Sequence, residues 1–277
     1  MRNRHHAGAR QKYLVDGPGG VYHDSTIRFL LSEVAVGRRP EQVEEVVRER
    51  SGRGDDVYTV SFQDIGAVVS KSPVKKYSVS RENLIPHEQT IEVVMETHTV
   101  LPVRFCTIAK DEEKVKKILE KEYDRFKALL ESLENKKELG IKAIFKEDMV
   151  YRHILEQNDE IRKLKDKLTG LPPEKTHYQR MEIGKMVEVA LQEERELCKD
   201  SILSLLSPLA IETKTNPAYG EMMILNAAFL VHEKDEPMFD TRVNELAESK
   251  GDTVRFKYVG KIPPFNFVNL TIRTEEY

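Results

Sequence analysis

From Val57 onward apolar residues recur with two alternating periods. Val57–Phe62 (VYTVSF) is β-branched and aromatic with apolar residues alternating, and Gly66–Ser70 (GAVVS) follows a short polar turn, so two adjacent strands or a hairpin are expected. Ser80 is placed to cap a helix whose apolar positions Leu84, Ile91, Val94 and Met95 share a face; Pro86 sits in its first turns or marks its start. Val100–Ile108 (VLPVRFCTI) reads as another strand, which Pro102 moves toward a sheet edge. Over Asp111–Asn135, Val115, Ile118, Leu119, Tyr123, Phe126, Leu129, Leu130 and Leu133 fall at three- and four-residue steps, the mark of one amphipathic helix.

The second half repeats this grammar. Ile141–Lys146 (IKAIFK) alternates as a half-buried strand, and helices over Arg152–Leu168 and Tyr178–Leu206 flank Gly170, Pro172 and Pro173 as a helical hairpin within 152–207. Its seam is expected at Ile154, Ile161 and Leu168 against Ile183, Val187, Ala190, Glu194 and Leu197, with Glu194 a polar break. Strand, strand, helix, strand, strand follow at Leu209–Thr213, Glu221–His232, Asp235–Ser249, Thr253–Val259 and Phe267–Ile272. Together with Ile141–Lys146 this is a modified ferredoxin-like order with a terminal strand added. The fold class expected is α+β in two domains: an N-terminal α+β domain over 1–136 and a ferredoxin-like domain over 137–277, joined at the charged stretch Glu134–Glu138.

Composition changes the picture only at the start of the chain. Of 277 residues 33% are charged, and 44 basic side chains nearly balance 47 acidic ones, which argues against a whole-chain grip on nucleic acid or anionic lipid. Residues 1–56, however, hold nine Arg and one Lys, whereas the rest hold ten Arg and 24 Lys. No run reaches the roughly 20 apolar residues that span a bilayer; Ile27–Val36 is interrupted by Ser32 and Glu33. Cys106 and Cys198 are too few for a secreted disulfide scaffold, so a cytoplasmic protein with reduced thiols is expected.

Catalytic patterns are weak. Gly17, Gly19 and Gly20 lack the Lys-Ser/Thr of a phosphate loop, and the histidines lack zinc-site spacing, so no cofactor and no metal are expected. His98 and Cys106 share parity on an alternating strand and could form a thiol–imidazole pair, but a small buried Cys is the simpler account. Arg104, inside an apolar strand, needs a carboxylate or carbonyl partner if buried, or else anchors another protein. In Gly260–Val268 (GKIPPFNFV), Pro263 and Pro264 hold the chain extended, so Phe265 and Phe267 either complete a core or form an apolar ledge for a partner.

These motifs, in this order, resemble the GvpF/GvpL gas vesicle protein family. The resemblance runs through VYTVSFQDIGAVVS (57–70), HTVLPVRFCTIAKDEEKVKKIL (98–119), ELGIKAIF (138–145), LNAAFLV (225–231) and YVGKIPPFNFV (258–268). Its specific parts are Leu101, Pro102, Arg104 and Phe105, and the Gly-x-x-Pro-Pro-aromatic-x-Phe motif at Gly260–Phe267. Cys106 stands where the family more often has Gly, and Lys261-Ile262 where it often has Pro-Trp. The usual opening strand is matched only by Lys12–Asp16 (KYLVD), so much of 17–51 is read as an atypical or poorly structured segment.

The resemblance implies two α+β domains, the second of modified ferredoxin type, and a non-enzymatic accessory or structural role in gas vesicle formation. The implied partners are the small hydrophobic shell subunit and other gas vesicle accessory proteins, with neither nucleic acid nor membrane. Contact is expected at Arg104 and Phe105 in the first domain and at Pro263, Pro264, Phe265 and Phe267 in the second. Two rivals remain open: a ferredoxin-like regulator that senses a small molecule, and an enzyme using Cys106 with His98.

Overall fold

The computed structural model describes residues 27–36, 57–73, 78–270 and 272. They fall into two compact units, one holding the described residues up to Ala128 with Ile272, the other spanning Leu129–Leu270.

The first unit is built on an antiparallel sheet. Strand β1 (Ile27–Val36) lies between β3 (Ile65–Pro73) and β4 (Thr99–Pro102), and β2 (Val57–Phe62) is the outer strand beyond β3. Within 17–51, read as atypical or poorly structured, residues 27–36 form a central strand, and the reading is corrected there. The polar interruption at Ser32-Glu33 is absorbed by a register shift between Leu31 and Glu33 in the β1–β3 ladder, so it does not end the strand. Residues 17–26 and 37–51, and the strand expected at 12–16, lie outside the described residues. The β2–β3 hairpin closes through Gln63, which takes a left-handed φ of 53°.

Val100–Ile108 is not one strand. β4 ends at Pro102 and a two-residue β5 (Ile108–Ala109) resumes pairing along the same side of β1, so residues 103–107 loop out between them. Pro102 has no N–H to continue a ladder, and Cys106 has φ +69°, incompatible with a strand. Helix α1 (Arg81–Met95) carries Pro86 inside it and buries His87, Thr90, Ile91 and Val94. The single helix expected over Asp111–Asn135 is two, α2 (Glu112–Lys121) and α3 (Tyr123–Leu133), parted at Glu122, whose ψ of 7° departs from helical values. Asp111 caps α2 by accepting a hydrogen bond from Lys114 N–H at 2.8 Å.

In the second unit β6 (Lys136–Phe145) begins five residues before Ile141, so the charged stretch read as a connector enters the sheet. The order is β7 (Glu212–Thr215), β8 (Met223–His232), β6 and β9 (Val254–Ile262), every neighbour antiparallel. Leu139, Ile141, Ala143 and Phe145 pack on one sheet face with Phe229 and with Phe239, Val243 and Leu246 of α7 (Glu236–Lys250). The helix expected at Arg152–Leu168 is divided at Asn158 into α4 (Glu147–Gln157) and α5 (Asp159–Leu168), and the Asn158 side chain accepts from Ile161 N–H to start α5.

The long helix α6 (His177–Leu206) extends roughly 45 Å. Its buried positions are Leu191, Cys198, Ile202 and Leu206, whereas Leu197, expected in the seam, is 67% exposed. Steps of four from Cys198 to Leu206 follow the i, i+4 ridge and slant the apolar stripe away from Leu197. Glu194, the polar break, faces His153 of α4 at 3.9 Å. No strand forms at Phe267–Ile272 among the described residues. The chain turns there, with Phe265 N–H donating to the Pro263 carbonyl at 2.7 Å and Phe267 and Val268 N–H groups to the Pro264 carbonyl at 3.0 and 3.1 Å.

Candidate functional site

In the first unit the looped-out residues 103–107 place two side chains inward and one outward. Val103 and Phe105 are buried, while Arg104 between them is exposed and makes no ion pair among the described residues. Two groups fix this alternation. His87 donates from Nε2 to the Val103 carbonyl at 3.0 Å, which requires the proton on that nitrogen, and its ring meets Phe105 edge-on at 5.6 Å. Thr107 closes the turn by donating its N–H and its hydroxyl to the Arg104 carbonyl at 3.2 and 2.8 Å. Arg104 is therefore a cation on an anchored loop rather than a charge within a strand.

Cys106 completes this turn in the left-handed region, which explains why glycine suits the position. The parity that placed His98 and Cys106 on one strand face no longer applies, since Cys106 is not in a strand. Cys106→Gly is expected to raise stability by up to about 1 kcal/mol, and Cys106→Val, β-branched at positive φ, to lower it by about 1–2 kcal/mol. Urea denaturation of the two variants reads both signs, and equal stabilities would show that the turn is unstrained.

In the second unit Pro263 and Pro264 are buried, and Phe265 and Phe267 are half-buried. The expected ledge is folded down rather than held out. Its clasp is Glu138 of β6, 1% exposed, which accepts from Asn266 N–H at 2.9 Å and from the Asn266 side-chain amide at 2.5 Å. Lys214 of β7 donates to the Asn266 carbonyl at 3.0 Å, lies 5.1 Å from the centroid of the Phe267 ring, and pairs with Glu212 at 3.2 Å.

Burial pushes the Glu138 carboxyl up to about 7, against the opposing pull of the Asn266 hydrogen bonds and of Lys214. Sequence reasoning missed Glu138, Asn266 and Lys214. Glu138 falls in the charged stretch Glu134–Glu138, expected as a connector, and Lys214 just beyond the strand expected at Leu209–Thr213; the readable signal was an amide between two aromatics after paired prolines, a chain reversal needing a fixed acceptor. The six residues singled out thus belong to different units, Arg104 and Phe105 to the first and Pro263, Pro264, Phe265 and Phe267 to the second. Among the described residues no group of three or more His, Cys, Asp or Glu side chains could hold a metal ion.

A family model described as "Gas vesicle synthesis protein GvpL/GvpF" matches residues 35–269. The chain belongs to the GvpL/GvpF family. All the quoted motif segments, from Val57 to Val268, lie inside the matched interval. Among family relatives, gas vesicle protein F of Dolichospermum flosaquae is 25% identical over 234 residues, covering 83% of this chain and 95% of the relative. Gas vesicle protein F1 of Halobacterium salinarum is 23% identical, covering 80% and 85%. The fold is similar to the crystal structures of GvpF from Anabaena sp. (TM-score 0.73, 24% identity, 90% of this chain and all of that one) and from Microcystis aeruginosa (0.68, 23%, 89% and all). No described helix is long and apolar enough to cross a membrane.

Proposed function

We propose that this GvpL/GvpF chain is a non-enzymatic, cytoplasmic accessory protein that binds the small hydrophobic shell subunit while gas vesicles assemble or nucleate. The family match over 35–269 carries this reading. A shell subunit with an apolar gas-facing side is prone to aggregate before assembly, and a partner with apolar contacts held on a fixed frame shields that side. Two places suit the task. One is the loop that presents Arg104 beside anchored Phe105; the other is the clasped Pro263–Phe267 segment, which keeps two aromatic edges partly in solvent at fixed positions. We read the second unit, in which each crossover returns antiparallel to the strand between its ends, as the modified ferredoxin-like module that carries this segment.

Co-expression of the chain with the shell subunit, followed by affinity capture, tests the reading. Capture of the shell subunit is expected, with about a tenfold loss for Arg104→Glu combined with Phe265→Ala, both outside the buried core. Deletion of the chain is expected to abolish vesicles. Normal vesicles after deletion, together with no capture, would overturn the proposal.

A further inference from the structure

Among the described residues β9 is bonded only to β6, so no strand takes up the backbone N–H and C=O groups of its other edge. Such an edge is a template for another strand. A register shift between Glu138 and Gly140 displaces the ladder beyond Val259, leaving Val254–Val259 as the regular run. Arg255, Lys257 and Val259 are exposed on the face away from the helices. Val254, Phe256 and Tyr258 turn toward the core, but Phe256 and Tyr258 are only half-buried there.

Charge makes this edge selective. Lys257 lies directly opposite Lys142 of β6, and Arg255 lies two residues along the same face. Like charges opposed across strands repel. Partial burial and then Lys257 hold the Lys142 ammonium below the ordinary lysine range. Neither Lys142, Arg255 nor Lys257 has a carboxylate partner among the described residues. The acids near this strand, Asp240 and Glu236 of α7, act on Tyr258 from the helix side, with the Tyr258 hydroxyl donating to Asp240 at 2.5 Å.

We propose that the outer edge of β9 takes up an extended segment of another protein in which acidic side chains alternate with apolar ones. Its backbone would continue the ladder, its acids would lie beside Arg255 and Lys257, and its apolar side chains would cover Phe256 and Tyr258. A second copy of this chain fits poorly, because pairing two β9 strands antiparallel brings basic side chains against basic ones. A nucleic-acid strand brings the charge but neither the ladder nor the apolar alternation. This surface goes beyond the shell contact and does not depend on which residues make it.

The test uses the full chain and a six-residue alternating Glu-Val peptide on a soluble carrier, with the Lys-Val peptide as control. Binding of the Glu-Val peptide is expected, weakened by added salt, with slower amide hydrogen exchange confined to Val254–Val259. Arg255→Glu with Lys257→Glu, at exposed positions, is expected to lose binding by at least about tenfold and to gain the Lys-Val peptide. No binding at about millimolar peptide, unchanged binding by the double variant, or protection mapping elsewhere would overturn the proposal. So would tighter binding of a single-stranded oligonucleotide at β9, or self-association of the wild type abolished by the double variant.

Discussion

Phe239→Ala is expected to lower the stability of the second unit by about 3–5 kcal/mol, the largest effect of any single substitution considered. Phe239 is fully buried on α7, with its ring 5.2 Å from Phe229 of β8 and 6.3 Å from Tyr258 of β9, so it joins the helix to a central and an outer strand. Truncation removes the ring's transfer energy and leaves a cavity that two other aromatic side chains cannot both fill. Phe239→Leu keeps most of the volume and is expected to cost about 1–2 kcal/mol. Urea midpoints at unchanged slope measure both. A loss below about 1 kcal/mol for the alanine variant would mean that α7 does not pack as described.

Stability is expected to fall as pH rises from about 4.5 to about 7 through Glu138 alone. In the unfolded chain this carboxyl ionises near its ordinary 4.5, whereas in the fold burial holds it protonated up to about 7. Between those values the native state binds the extra proton, so the contribution is fully present below 4.5 and lost by about 7. Its size is about 3 kcal/mol. Asp64 has the opposite sign: hydrogen bonds from Tyr123 and Lys127 hold it low, so its contribution is present at neutral pH and lost in acid. His98, lowered by burial, gains stability as pH rises toward 6.5.

Glu138→Gln isolates the one group. Its amide leaves a donor facing one Asn266 donor, which costs about 1–2 kcal/mol at low pH. The wild type's advantage should then fall by about 3 kcal/mol as pH passes from 5 to 8, so that the order reverses and the variant is the more stable by about 1–2 kcal/mol at pH 8. Parallel curves would show that Glu138 does not titrate in that window. In the wild type, hydrogen-exchange protection of the Phe265–Val268 amides, taken relative to their intrinsic rates at each pH, should fall across the same range as the clasp carries an increasing buried charge.

The periodic parts of this fold were legible because their packing is local to each element. Val57–Phe62, Glu221–His232 and the α7 helix alternate or step with the period of the face they bury, and only their ends moved. The misses share a cause in single residues. Asn158 and Glu122 stop helices whose apolar stripes run on through them, and Cys106 adopts a backbone conformation that its side chain does not advertise. β1 was lost because Ser32-Glu33 was taken as an interruption, whereas a register shift accommodates it only when a neighbouring strand is present. The candidate residues were legible as motifs, but the carboxylate that clasps the Pro263–Phe267 segment through Asn266 lies 128 residues away in sequence.

The placement of β6 between β8 and β9 has a consequence for how the chain is made. On a ribosome β6 emerges first, and its neighbours follow only after residues 223–232 and 254–262 have been translated. At about 5–20 residues per second the strand waits several seconds or longer with both edges open, while only the α4–α6 hairpin is available to cover its apolar face. Nascent chains arrested before Met223 should therefore be cut by protease within 136–145, and chains arrested beyond Ile262 should be resistant there. Synthesis itself, more than the finished protein, is where this sequence is exposed to misassembly.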